Sequence, residues 1–84
     1  MKIMFLDYAW EDYLYWQQHD KKVLQKINQL IKEIQRTPFS GIGKPESLRF
    51  KLSGYWSRRL THEHRLVYKI IDSDVVIVQC RFHY

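Results

Sequence analysis

Apolar residues recur with two different periods along this chain, and the change falls near its middle. Between residues 21 and 36 they are spaced by three and four, which is typical of an amphipathic helix. The residues on that stripe are Val23, Leu24, Ile27, Leu30, Ile31 and Ile34. Asp20 stands directly before the segment, so it is the expected N-cap of this helix.

A shorter helical pattern precedes this one. The segment "YAWEDYLYWQQH" follows Asp7, which we expect to act as its N-cap, and its apolar stripe is predicted to carry Trp10, Tyr13 and Leu14. Before it, "KIMFL" is typical of a short buried strand. The order at the N-terminus is therefore predicted to be strand, helix, helix.

The second half of the chain changes to a period of two. "YWSRRLT", "RLVYKII" and "VVIVQCRF" are rich in β-branched and aromatic residues, and "LRFKL" is a candidate for a further short strand. "TPFSGIGKPE" separates them from the helices as a loop. We therefore predict an α+β fold in one domain, residues 1–84. It has an N-terminal strand, a two-helix hairpin, and a three- to four-stranded antiparallel sheet with the helices packed on one face.

Strand parity predicts which side chains face the helices. Leu66, Tyr68 and Ile70 share one parity, as do Val76, Val78, Cys80 and Phe82 in the last strand. A three-residue turn, Asp72-Ser73-Asp74, would place both sets on the core side. In that register Arg65 lies opposite Arg81 and Glu63 lies opposite His83, so Arg65 and His83 are predicted to project from the open face together.

Charge and cysteine content narrow the classes of function. The net charge is +5, with −3 in residues 1–20, +4 in residues 21–36 and +4 in residues 37–84. A basic domain favours a polyanionic partner, although a solvated helix face is the simpler interpretation of Lys21, Lys22, Lys26 and Lys32. The single cysteine, Cys80, permits no internal disulfide and favours a reducing cytoplasm. Neither a signal peptide nor a membrane span is predicted.

Several kinds of site are not expected. The histidines His19, His62, His64 and His83 lack a third ligand at a recognisable spacing, so we expect no metal and no other cofactor. Cys80 has core parity and no pattern typical of a nucleophile surrounds it. "GIGK" lacks the rest of a phosphate-binding fingerprint.

The chemistry that remains is a set of cations with one imidazole and one carboxylate. Its members are Arg58, Arg59, Arg65 and Arg81 in the strands, Glu46 near Arg49 and Lys51 in a loop, and the terminal His83 and Tyr84. Such groups suit RNA backbone cleavage without a metal, because a base, an acid and a guanidinium are sufficient for it.

Three runs, "GKPESL", "LSGYWSRRLT.EHRLVYKI" and "CRFHY", together with "DYLYWQ" and "KINQLIKEIQRTPF", resemble the YoeB (Txe) group of the RelE/ParE toxin superfamily over the whole chain. The resemblance implies a toxin of a type II toxin–antitoxin pair. Such a toxin is a cytoplasmic endoribonuclease that cuts mRNA in the ribosomal A site. It is neutralised by a YefM-type antitoxin and meets operator DNA only within that antitoxin complex. A homodimer is also open.

The family's residues carry over to four positions. The resemblance implies that Glu46 is the general base, Arg65 the transition-state arginine, His83 the general acid and Tyr84 a substrate-orienting group. RNA contacts are expected from Arg49, Lys51, Arg58, Arg59 and Arg81, with Arg49 standing where relatives commonly have Lys. Two alternatives stay open. One is a ParE-like gyrase-inhibiting toxin, and the other is a non-catalytic module that binds RNA or protein.

Overall fold

The computed structural model describes residues 1–83 and contains one five-stranded sheet. The elements are β1 (Ile3–Phe5), α1 (Asp7–His19), α2 (Lys21–Arg36), β2 (Glu46–Ser47), a 3-10 turn (Phe50–Leu52), β3 (Trp56–Arg59), β4 (Arg65–Ile71) and β5 (Asp74–Gln79). The strand order is β1-β5-β4-β3-β2. The predicted α+β class is therefore confirmed. The sequence did not predict that β1 joins the same sheet, parallel to β5.

Helix α2 matches its prediction closely. Val23, Ile27, Leu30, Ile31 and Ile34 are buried, and Leu24 packs against the same core. The Asp20 side chain accepts hydrogen bonds from the backbone N–H groups of residues 22 and 23, at 3.0 and 3.3 Å. The apolar stripe of α2 thus packs into the core beneath the sheet, and Asp20 caps the start of the helix.

Helix α1 departs from its prediction in cap and buried face. Leu6 occupies the N-cap position, while Asp7 lies in the first turn. The buried residues are Ala9, Asp12 and Trp16, whereas Trp10 is 47% exposed. The predicted stripe is wrong for Trp10 and Leu14, because α1 packs against α2 and β5 along a different face, whereas Tyr13 is half-buried against the core. The Trp10 ring instead stacks on Tyr13, with the ring centroids 5.5 Å apart.

The turn between β4 and β5 corrects the predicted register. Ile71 pairs with Asp74, so the turn contains two residues, Asp72 and Ser73, with φ of 49° and 70°. Both values are positive, as a type I′ hairpin turn requires. The shorter turn places Val75 and Ile77 in the core beneath the helices. Val76, predicted there, is buried but on the other side of the sheet, and Val78 is only half-buried.

A β-bulge then restores the predicted register farther along. Tyr68 pairs with Ile77 but Val67 pairs with Gln79, so Val78 is the extra residue. Beyond the bulge Cys80 has its predicted core position and is fully buried, but Phe82, predicted on the same side, is 50% exposed. The bulge therefore changes which side chains of the last segment face each side of the sheet.

Residues 1–83 contain neither a membrane-spanning helix nor a cluster of metal ligands. No helix there is long and apolar enough to cross a membrane. No group of three or more potential ligands among the histidines, cysteines and acids of that range is arranged to hold a metal ion.

Candidate functional site on the open face of the sheet

The sheet face opposite the helices carries two rows of side chains. In the first row Glu46 of β2 lies opposite Ser57, Ser57 opposite Val67, and Val67 opposite Gln79. In the second row Arg59 lies opposite Arg65. We call these residues the open face. A carboxylate and two guanidinium groups therefore share one side of the sheet.

The residues in the middle of the open face are buried, whereas those at its margins are accessible to solvent. Ser57 and Val67 are only 3% and 2% exposed, whereas Glu46 and Arg59 are exposed and Arg65 is half-buried. Strands β2 and β4 are two strand spacings apart, about 10 Å, and the two rows are about 7 Å apart along the strands. Long side chains from Glu46 and Arg65 can thus reach a common group the size of one phosphodiester linkage.

The Arg65 guanidinium is held in place by backbone carbonyls. Its Nη1 donates to the carbonyl oxygens of Thr61, His62 and His64, at 2.8, 3.1 and 3.1 Å. These contacts orient the planar cation before any ligand arrives. Such preorganised charge is what stabilises a developing anion most effectively.

The segment after β5 is fastened beside Arg65. The backbone N–H of Arg65 donates to the carbonyl oxygen of Phe82 at 3.0 Å, and the N–H of Phe82 donates to Nδ1 of His64 at 2.7 Å. Exposed His83 follows directly. The tail that carries His83 is therefore anchored within one residue of Arg65 along the sheet edge. Tyr84 lies outside the described residues.

Glu46 begins a short edge strand rather than lying in a loop, and a tight turn follows it. Phe50 is 92% exposed with φ of 57°, and the exposed cations Arg49 and Lys51 flank it. The turn is closed by Leu52 N–H donating to the Arg49 carbonyl at 3.1 Å. A bare aromatic ring between two cations thus stands near the Glu46 carboxylate.

Arg58 does not belong to this surface. It is fully buried, and its guanidinium donates to the carbonyl oxygens of Ile42, Thr37 and Ser40 at 3.0, 2.7 and 2.8 Å. Its Nε donates to the Tyr68 hydroxyl at 3.2 Å. The prediction that Arg58 contacts RNA is therefore wrong, because its donors hold the loop that leads into β2.

Arg81 also differs from its predicted position. Its guanidinium lies 3.5 Å from the centre of the Tyr15 ring on α1, and 4.4 Å from that of Phe82. Its Nε is buried without a hydrogen-bond partner among the described residues. The side chain thus packs towards α1. The sequence had predicted that it lies opposite Arg65, but it does not join Arg65 on the open face.

A buried carboxylate lies beneath this part of the tail. Asp12 accepts a hydrogen bond from the backbone N–H of Cys80 at 3.1 Å. Burial raises the pKa of Asp12, while that hydrogen bond and the charge of Arg81 act in the opposite direction. The same burial, with the nearby Asp12 charge, raises the pKa of the Cys80 thiol to about 12. Cys80 is therefore not a nucleophile at neutral pH.

His64 was overlooked as a site residue. The sequence analysis considered His64 only as a metal ligand, yet its ring is half-buried against Trp16 and its Nδ1 accepts the Phe82 N–H. Its parity, shared with Leu66 and Tyr68 of the core, was the available signal.

Solved structures share this architecture over their whole length. A YoeB/ParE toxin from Agrobacterium tumefaciens superimposes with a TM-score of 0.98 at 49% identity, covering 100% of both chains. The YoeB chain of a YoeB-YefM complex from Staphylococcus aureus gives 0.92 at 50% identity, covering 100% of this chain and 98% of that one. A YoeB dimer from the same species gives 0.93 at 52% identity, with the same coverage. The class of protein is thus a small toxin of a toxin–antitoxin system.

Sequence comparison identifies the family within that class. Residues 5–84 match the family described as YoeB-like toxin of bacterial type II toxin-antitoxin system. Toxin YoeB of Synechocystis sp. is 63% identical over 84 residues, which cover 100% of this chain and 98% of that protein. This chain belongs to the YoeB-like toxin family, and the resemblance noted in its motifs is confirmed.

Proposed function

We propose that this toxin is a metal-free endoribonuclease that cleaves mRNA in the ribosomal A site and so stops translation. The observation that supports it most is the shared sheet face of Glu46 and Arg65, with the His83 tail anchored to the Arg65 backbone. Those three groups are the minimum set for cleavage by the RNA's own 2′-hydroxyl.

Each group has one role in the proposed reaction. The Glu46 carboxylate accepts the proton of the 2′-hydroxyl, whose oxygen then forms a bond to the adjacent phosphorus. His83 donates a proton to the 5′-oxygen as its bond to phosphorus breaks, leaving a 2′,3′-cyclic phosphate and a 5′-hydroxyl. Arg65 stabilises the charge on the phosphorane oxygens, and Tyr84 orients the substrate. No redox partner is needed, because the step only moves protons and replaces the bond from phosphorus to the 5′-oxygen with a bond to the 2′-oxygen.

Substrate contacts are assigned to the exposed groups around that centre. Arg49, Lys51 and Arg59 are exposed and basic, so they suit the phosphates on either side of the cut. Phe50 presents almost its whole ring to solvent and suits a nucleobase turned out of the strand.

Regulation is proposed to follow the related complexes. The Staphylococcus aureus relative is found in a YoeB-YefM complex, so we assign a YefM-type antitoxin to this toxin, with operator DNA reached only through that complex. A YoeB dimer is also known for that relative, and a homodimer is proposed here as well.

Conservative substitutions test the acid–base assignment. Glu46→Gln and His83→Gln should each lower the single-turnover cleavage rate on programmed ribosomes by roughly a hundred- to ten-thousand-fold while folding is kept. The parental rate should depend on pH with a bell shape. Matched controls are Glu11→Gln and His19→Gln, which alter exposed residues of α1 and should cut at the parental rate. Near-parental cutting by both site variants would refute the roles.

A further inference from the structure

Both backbone polar groups of Phe82 are held by hydrogen bonds. Its carbonyl oxygen accepts from the N–H of Arg65 at 3.0 Å, and its N–H donates to Nδ1 of His64 at 2.7 Å. In a regular antiparallel ladder both partners would be backbone groups. Here β5 ends at Gln79, and a side chain supplies the second partner. The His64 side chain therefore takes the place of a backbone acceptor after β5 has ended.

The imidazole that does this is itself fixed. The Trp16 ring meets the His64 ring edge to face, with the centroids 4.8 Å apart and the planes at 81°. Trp16 is buried, and its Nε1 donates to the carbonyl oxygen of Cys80 at 2.7 Å. One tryptophan thus supports the imidazole and the start of the tail together.

His64 also contributes through its backbone. Its carbonyl oxygen accepts from the Leu60 N–H at 3.0 Å and from Nη1 of Arg65 at 3.1 Å. The backbone of His64 therefore helps to orient the Arg65 guanidinium, while its ring holds the residue before His83. The two proposed reacting groups are located by the same amino acid.

The tail needs such a restraint. Phe82 has φ of 66°, a left-handed conformation that is unfavourable for a bulky residue and that persists only when its surroundings enforce it. If the contact to Nδ1 were lost, the backbone could relax at Phe82 and carry His83 away. Because Nδ1 accepts a hydrogen bond, the ring proton of neutral His64 lies on Nε2.

We propose that His64 is a positioning residue, which sets the place of His83 relative to Arg65 by accepting the Phe82 amide proton. The proposal deepens the nuclease mechanism above and rests on it. His64 itself touches no substrate. Its effect is on the geometry of the acid, so its loss should lower the rate at saturating ribosome more than it raises KM.

Two substitutions separate the acceptor from the ring. His64→Phe keeps an aromatic ring for Trp16 and lacks the acceptor, whereas His64→Asn keeps an acceptor oxygen near the place of Nδ1 and lacks the ring. His19→Phe is the matched control, because His19 is an exposed histidine of α1 whose ring lies on Tyr15. Each protein is produced with its antitoxin and separated before assay.

Cleavage and amide exchange are then measured on the same samples. We expect His64→Phe to lose on the order of tenfold to a hundredfold in kcat, with faster hydrogen exchange at the Phe82 amide. His64→Asn should retain most of the rate and the protection, and the nitrogen resonances of parental His64 should show the Nε2–H tautomer. A parental rate with a protected Phe82 amide in His64→Phe would overturn the proposal, as would equal losses in both variants.

Amide exchange also separates this proposal from the proposed function. If the parental protein cuts no RNA, the nuclease assignment fails, and protection of the Phe82 amide still reports whether His64 holds the tail. If the parental protein cuts RNA and the amide exchanges as freely as in His64→Phe, the positioning role fails and the nuclease assignment stands.

Discussion

The buried guanidinium of Arg58 allows the sharpest test of how this fold supports its surface. Arg58→Met keeps most of the aliphatic stem and removes every donor. Three loop carbonyls, those of Thr37, Ser40 and Ile42, would then lose a charged partner, and so would the Tyr68 hydroxyl. Each buried acceptor that is left without a donor costs about 1–3 kcal/mol, so the whole change should cost about 3 kcal/mol or more. Small domains have about 5–15 kcal/mol in total, so the loss is a large share of the stability.

The measurement is urea unfolding followed by tryptophan fluorescence, with calorimetry beside it. At about 4–8 °C per kcal/mol for a domain of this size, Tm should fall by more than about 12 °C. Arg59→Met is the matched control, because Arg59 is the adjacent exposed arginine of the same strand. Its free energy of unfolding should change by no more than about 0.5 kcal/mol. A loss below about 1 kcal/mol for Arg58→Met would refute the reasoning.

In RNA binding the two variants should behave in the opposite way, with an effect for Arg59→Met and none for Arg58→Met. Arg59→Met should reduce the slope of log K against log salt by about 1, because one phosphate contact is lost. Arg58→Met, studied where it remains folded, should leave that slope unchanged. Equal slopes for Arg59→Met and the parental protein would contradict the assignment of Arg59 to phosphate.

Three further predictions concern single side chains. Burial raises the pKa of Asp12, so that group's stabilising effect is present below its unfolded pKa of 3.8 and is lost as pH rises through the higher folded value. Asp12→Asn should remove this loss from the profile of unfolding free energy against pH, and parallel profiles would contradict it. With its pKa raised to about 12, the Cys80 thiol should resist iodoacetamide at neutral pH until urea unfolds the protein, whereas rapid labelling of the native protein would be inconsistent with its burial. Phe50→Ala should leave Tm unchanged, since the ring is 92% exposed, and weaken binding of single-stranded RNA by about 1–3 kcal/mol. Unchanged affinity would exclude base stacking there.

The sequence predicted those parts of the fold that depend on local pattern. Helix α2 could be predicted because its apolar stripe and its N-cap, Asp20, lie in one continuous stretch of sequence. The position of β1 could not be read in this way, since its pairing with β5 joins residues far apart in the chain. The two-residue length of the hairpin turn was missed because Asp72 and Ser73 both take positive φ, which is commonest for Gly and Asn. The bulge at Val78 has no mark in the alternation.

The candidate site shows a similar division. Register alone, once known, places Glu46, Arg59 and Arg65 on one face. Charge was a poor guide for Arg58, which shares strand parity with the half-buried Trp56 and is itself fully buried on the helix side. Arg81 could not be placed from the sequence, because its position depends on the Tyr15 ring of a distant helix.

The parallel pairing of β1 with β5 has a consequence for folding during synthesis. Lys2 and Asp74, which join the two strands, are separated by 72 positions, and the Val75 N–H donates to the Lys2 carbonyl beside them. A nascent chain makes β1 first and must hold it unpaired, with the apolar stripe of α2 uncovered, until β5 emerges from the ribosome. The sheet can therefore be completed only when nearly the whole chain has been made, and the apolar surface of α2 stays uncovered until then.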